Sequence, residues 1–253
     1  MLTSVNAINK KVVAQDADKS EKPFYCPECN SETILRQGLV KTHHFAHKPP
    51  ISCQYGQGES DGHRNCKESI YDHLRQNQDL VKNCELEKNL GRVRPDIYFE
   101  KNGQRIAIEV QISNLTMEKI IYRTEQYRRL GVSVLWLPIL TGTMWHVYLN
   151  SDDYSPKQWE KWLHATYFGR VYYWSRKLDI LPFHYDKVTL YKEWSDYGGG
   201  YEYASKRYKR LEKGNLVSLL DDFEPVERSA WRGGKIFVPS CKILRDKQEK
   251  WWK

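Results

Sequence analysis

The stretch Arg94-Pro95-Asp96-Ile97-Tyr98-Phe99-Glu100, followed across Lys101-Asn102-Gly103 by Gln104-Arg105-Ile106-Ala107-Ile108-Glu109-Val110-Gln111, decides the fold. Alternating side chains around an Asn-Gly dipeptide predict two antiparallel strands joined by a tight type I′ turn. Residues two apart on a strand share a face, so Glu109 and Gln111 project together, while Ile108, Val110 and Ile112 turn the other way toward a core. Two acids, Asp96 and Glu109, then stand at one end of an otherwise apolar hairpin. Carboxylates are costly to bury unless a cation neutralises them, and a divalent metal is a frequent functional reason. Metal-dependent phosphodiesterases use this pattern.

The flanking sequence extends the hairpin into a mixed α+β unit. Ser60 or Asp61 caps a helix that runs to Gln78, with Ile70, Tyr71 and Leu74 on one face, and Leu80 to Leu86 reads as a strand. Beyond the hairpin, Thr116 caps a second helix that stops at Gly131, and Val132 to Leu137 is a buried strand. The order is helix, three strands, helix, strand. On the first helix His63 and Lys67 share a face, as do Arg123 and Tyr127 on the second, and each pair offers a phosphate contact.

Ahead of this unit, residues 1–58 read as a small module ending in a Gln54–Gly58 linker. Thr33 to Arg36 and Leu39 to Lys41 suggest a short hairpin across Gln37-Gly38. Cys26-x2-Cys29 supplies two ligands of a tetrahedral zinc site, and His44, His47 and Cys53 compete for the other two. The expected set is Cys26, Cys29, His47 and Cys53, with His44 the alternate. A segment this polar has little core, so Zn²⁺ would stabilise it directly.

Residues 151–253 hold 20 of the 40 basic residues and 21 of the 33 aromatics of a chain whose net charge is +8. Cations interleaved with rings suit DNA in single-stranded or branched form. Tyr201 to Lys213 reads as a basic helix on which Lys206, Arg207, Lys209 and Arg210 would meet phosphates. No apolar run approaches the roughly 20 residues of a membrane span. Six cysteines without a secretory leader argue for a cytoplasmic protein rather than a disulfide scaffold.

Taken in order, Cys26-Pro-x-Cys29, His44-Phe-Ala-His47, Cys53, Glu59-Ser60-x2-His63-x3-Lys67, Pro95-Asp96, Glu109-Val-Gln111-x-Ser113, Arg123-x3-Tyr127 and Val134-Leu-Trp136 resemble the CoiA family of competence proteins. The resemblance is close over residues 5–140 and looser beyond. It implies a zinc-finger module (1–58), a PD-(D/E)xK nuclease-like core (59–150) with the αβββαβ order of restriction endonucleases, and a basic, aromatic-rich α+β extension (151–253). It also implies that Asp96 and Glu109 hold Mg²⁺ or Mn²⁺, and that Gln111 takes the place usually held by lysine. Glu87, or Glu59 on the helix, would supply a further acid. The expected activity is DNA hydrolysis in DNA processing or recombination, with recombination proteins as further partners. An amide at the lysine position gives weight to the alternative, a DNA-binding factor without catalysis.

Overall fold

The computed structural model describes residues 1–53, 55–56, 58–111, 116–150, 154–194, 198–205 and 208–252. The expectations resting on Ile112, Ser113, Lys206 and Arg207, and on part of the 54–58 linker, fall outside that set. The chain is mixed α+β and divides into two compact units, Met1–Val110 and Gln111–Lys253. Among the described residues no helix is long and apolar enough to cross a membrane.

The first unit opens with five short strands, β1 (Thr3–Asn6), β2 (Lys11–Val13), β3 (Phe24–Tyr25), β4 (Glu32–Arg36) and β5 (His44–His47), in the sheet order β2-β1-β3-β4-β5. The partner of β4 is therefore His44–His47, with Thr33 across from His47, and not Leu39–Lys41. Leu39 and Val40 are fully solvated side chains on a bend and bury nothing that would hold a strand. The core under this sheet is small: Met1, Ala14, Ala17, Phe24, Cys26, Leu35 and Phe45.

Helix α1 (Asp61–Gln76) follows, its Ser60 side chain accepting from the His63 amide. Ile70, Tyr71 and Leu74 are buried on one face, as their spacing requires. A meander of β6 (Val81–Leu86), β7 (Ile97–Lys101) and β8 (Gln104–Gln111) completes the unit. Asn102 and Gly103 both have positive φ, 49° and 73°, as a type I′ turn demands.

In the second unit, Thr116 caps α2 (Met117–Arg129), and Gly131 ends it at φ 65°. Strand β9 (Ser133–Pro138) is buried throughout. Then come α3 (Gly142–Leu149), α4 (Gln158–Thr166), and strands β10 (Val171–Arg176), β11 (Asp179–Asp186), β12 (Thr189–Glu193), β13 (Gly200–Ala204), β14 (Arg210–Lys213), β15 (Val217–Ser218), β16 (Phe223–Arg228), β17 (Trp231–Gly233), β18 (Ile236–Val238) and β19 (Cys241–Asp246). β19 runs parallel to β9 and antiparallel to β16. β11 pairs with β10, β14 and β15, and β12 forms a separate hairpin with β13.

Among the described residues of 201–213 the expected basic helix is absent. Strands β13 and β14 form there instead, because Tyr201-Glu202-Tyr203 and Arg210-Leu211-Glu212 alternate with period two and each finds a strand partner.

Candidate functional site

Two clusters in the first unit concentrate chemistry. In the first, one ligand atom each from Cys26, Cys29, His47 and Cys53 lies within 4.8 Å of all the others. Among the described residues no other Cys, His, Asp or Glu set of three or more is as tight. The amide of Glu28 donates to Cys26 Sγ and that of Tyr55 to Cys53 Sγ, each at 3.4 Å, so two turns aim N–H groups at sulfur. Cys29 Sγ lies 3.4 Å from His47 Nε2. Hydrogen bonds from Ser31 and His47 hold the Cys29 thiol down to about 6, whereas burial pushes Cys26 up to about 12. Three thiols and an imidazole this close suit a tetrahedral metal ion such as zinc. His44 turns its Nδ1 to the Thr42 carbonyl at 2.9 Å and stands outside the cluster.

The second cluster is ionic. Leu86 pairs with Ile97 and Ile97 with Ile108, so continuing each register by one residue sets Glu87, Asp96 and Glu109 in a row across three strands. The Glu87 amide donates to the Asp96 carbonyl at 3.0 Å and keeps that row in line. Across it lies the N-terminal end of α1, whose apolar stripe gives way to Lys67, His63 and, just before the cap, Glu59. Lys67 Nζ lies 2.5 Å from Glu59, 2.7 Å from Glu87 and 3.4 Å from Asp96. Burial would lower its pKa, but three surrounding carboxylates raise it well above the usual lysine value.

His63 bridges the cluster. Its Nδ1 lies 3.1 Å from Glu59, and its Nε2 lies 2.9 Å from the Val110 carbonyl and 3.3 Å from Asp96. Both nitrogens face acceptors, so both carry protons and the ring is an imidazolium. Burial opposes that charge, yet Asp96 and Glu59 bring the pKa up to about 9. Asp96 Oδ2 also accepts from the Val110 amide at 2.9 Å.

Glu87 is fixed more heavily than any sequence signal suggested. Its carboxylate accepts from the Leu2 and Thr3 amides, the Thr3 hydroxyl, the Tyr55 hydroxyl and Lys67, at 2.5–3.1 Å. Its φ is +49°, uncommon for a side chain of this size, and these five donors hold it there. Burial alone would raise its pKa, but Lys67 and the Met1 ammonium bring it down to about 2. Thr3 and Tyr55, which tie the first cluster's surroundings to Glu87, carry no local sequence signature.

Glu109 and Gln111 are both buried on β8 and share a face by alternation. The Gln111 side-chain nitrogen has no hydrogen-bond partner among the described residues. In the second unit Tyr127 is wholly buried, and the Arg123 guanidinium lies over the Trp136 ring at 5.8 Å. Arg210 pairs with Asp186 at 3.0 Å and Glu212 at 2.7 Å, and the Lys209 amide bonds the Asp186 carbonyl.

Comparison with known proteins finds two matching stretches. Residues 7–56 match the family model described as the competence protein CoiA N-terminal domain, and residues 59–161 match the CoiA nuclease-like domain. The competence protein CoiA of Bacillus subtilis (strain 168) is 28% identical over 127 residues, which is 49% of this chain and 33% of that relative. The chain thus matches only a third of that protein's length. No solved structure matches. The two models follow one another across the thiol–imidazole cluster and the acidic hairpin, together cover more than half of the chain, and place it in the CoiA family.

Proposed function

We propose that this chain is a metal-dependent deoxyribonuclease of the CoiA type, serving DNA processing or recombination in competence, with an αβββαβ restriction-endonuclease-like core between residues 59 and 150. The observation that carries the reading is Lys67 Nζ, 3.4 Å from Asp96 in the ionic row. Gln111 cannot supply a positive charge, and a helix lysine beside the acid pair can. Asp96 and Glu109 are the residues that would hold Mg²⁺ or Mn²⁺. Their donors fit: hard carboxylate oxygens on adjacent strands, in a setting where such an ion takes one or two carboxylates and keeps several waters. Bound there, the ion would lower the pKa of a coordinated water and stabilise charge on the phosphate. Lys67 and His63 hold the Asp96 carboxylate in place. Glu87, its acceptor sites filled by five donors, acts as a positioning group. In the module, Cys26, Cys29, His47 and Cys53 would hold structural Zn²⁺.

The test is incubation of the purified chain with single-stranded, duplex and forked DNA, in Mg²⁺ or Mn²⁺ and in their absence, beside an Asp96→Asn preparation. Metal-dependent cleavage at least 100-fold above that variant is expected. Equal background from both preparations would leave the second reading, a DNA-binding factor, which an amide at Gln111 in place of lysine favours.

A further inference from the structure

The β12–β13 hairpin separates its side chains by chemistry. Its register sets Lys192 across from Tyr201 and Leu190 across from Tyr203, so these four share one face, and Trp194 continues it two residues past Lys192. The other face carries Tyr191, Glu193 and Glu202. The first face therefore holds three rings and a cation with no carboxylate. Its rings are open to solvent: Trp194 is 68% exposed, Tyr201 47% and Tyr203 38%. They form a row, with centroids 6.0 Å apart from Trp194 to Tyr201 and 5.8 Å from Tyr201 to Tyr203. Gly199 makes room for the indole, since a Cβ there would fall 2.5 Å from Trp194 Nε1.

Three rings in line on an open two-stranded ribbon bury no core. Bases that are not paired have free π-faces that stack on such rings, whereas duplex DNA keeps its base faces inside. Lys192 adds attraction for the phosphate backbone, and among the hairpin's described residues the acids, Glu193 and Glu202, lie on the far face. A second copy of a chain with net charge +8 would be repelled. We propose that the face bearing Lys192, Trp194, Tyr201 and Tyr203 is a stacking platform for single-stranded DNA. This rests on the reading of the chain as a DNA-handling protein and names the form of DNA it holds.

The experiment measures binding of the full chain, in magnesium-free buffer, to a labelled oligothymidine of about 20 nucleotides and to a duplex of similar length. Trp194→Ala and Tyr201→Ala should each weaken single-strand binding roughly ten-fold and the double variant roughly 100-fold. Duplex binding and the salt slope should stay unchanged, and Tyr201→Phe should bind like the parent. Lys192→Ala should lower the slope. Unchanged single-strand affinity in a double variant that melts like the parent would overturn the proposal. So would an equal loss on duplex, or self-association of the parent that the double variant lacks. Cleavage is scored separately with Mn²⁺. Ring-dependent binding without cleavage sinks only the nuclease reading, and cleavage with ring-independent binding sinks only the platform.

Discussion

Lys67 decides the energetics of the ionic row. An ammonium this deeply buried is tolerable only because Glu59, Glu87 and Asp96 surround it, and removing it leaves buried carboxylates uncompensated. Lys67→Met should therefore cost about 3–5 kcal/mol in urea denaturation. Adding Glu87→Gln should recover part of that loss, and a strictly additive double variant would show that the two groups are not coupled. His63 gives a second handle. Its folded pKa of about 9 lies above the ordinary 6.5, so its contribution to stability is complete below pH 6.5 and is lost as pH rises through 9. In magnesium-free protein, NMR should show the imidazole titrating near 9, and Asp96→Asn should lower that value. A midpoint near 6.5 would mean that the carboxylates do not face the ring.

At the scale of elements, legibility followed locality. The Asn102-Gly103 turn, the Ser60 and Thr116 caps and the Gly131 stop are fixed by neighbours in sequence, and the structure has each of them. His63 and Lys67 were legible as sharing one helical face, but the meeting of Lys67 with Glu87 depends on strand registers that no local pattern encodes. The five donors to Glu87 come from as far as 85 residues away, which is why its central position was invisible. Over 201–213 the period-two alternation was present, and the density of cations masked it. The Cys/His module illustrates the opposite case. Its core cluster of Met1, Ala14, Ala17, Phe24, Cys26, Leu35 and Phe45 includes two alanines, so burial contributes little and a bound metal would contribute much. Purified chain should carry one zinc, and stripping it should cost several kcal/mol, or roughly 10 °C or more in melting temperature. His47→Ala should release the metal and His44→Ala should keep it. Retention in the first variant, or loss in the second, would reassign the ligands.

Across the whole chain, charge is spread unevenly in a way that bears on DNA. Residues 151–253 carry an excess of five positive charges, against two for residues 1–58 and one for 59–150. Excess alone does not say which cations reach phosphate. Arg210 already faces Asp186 and Glu212, so a phosphate would have to compete with two carboxylates for its guanidinium. Each cation that meets single-stranded DNA releases counterions and adds about 0.7 to the slope of log affinity against log salt. Replacing Lys206, Arg207 and Lys209 together by alanine should lower that slope by roughly 2 if all three contact phosphate. Arg210→Ala should leave it nearly unchanged, because its charge is balanced within the fold. A slope that falls with Arg210→Ala but not with the triple variant would mean that DNA displaces the Asp186 and Glu212 pairing and binds through Arg210.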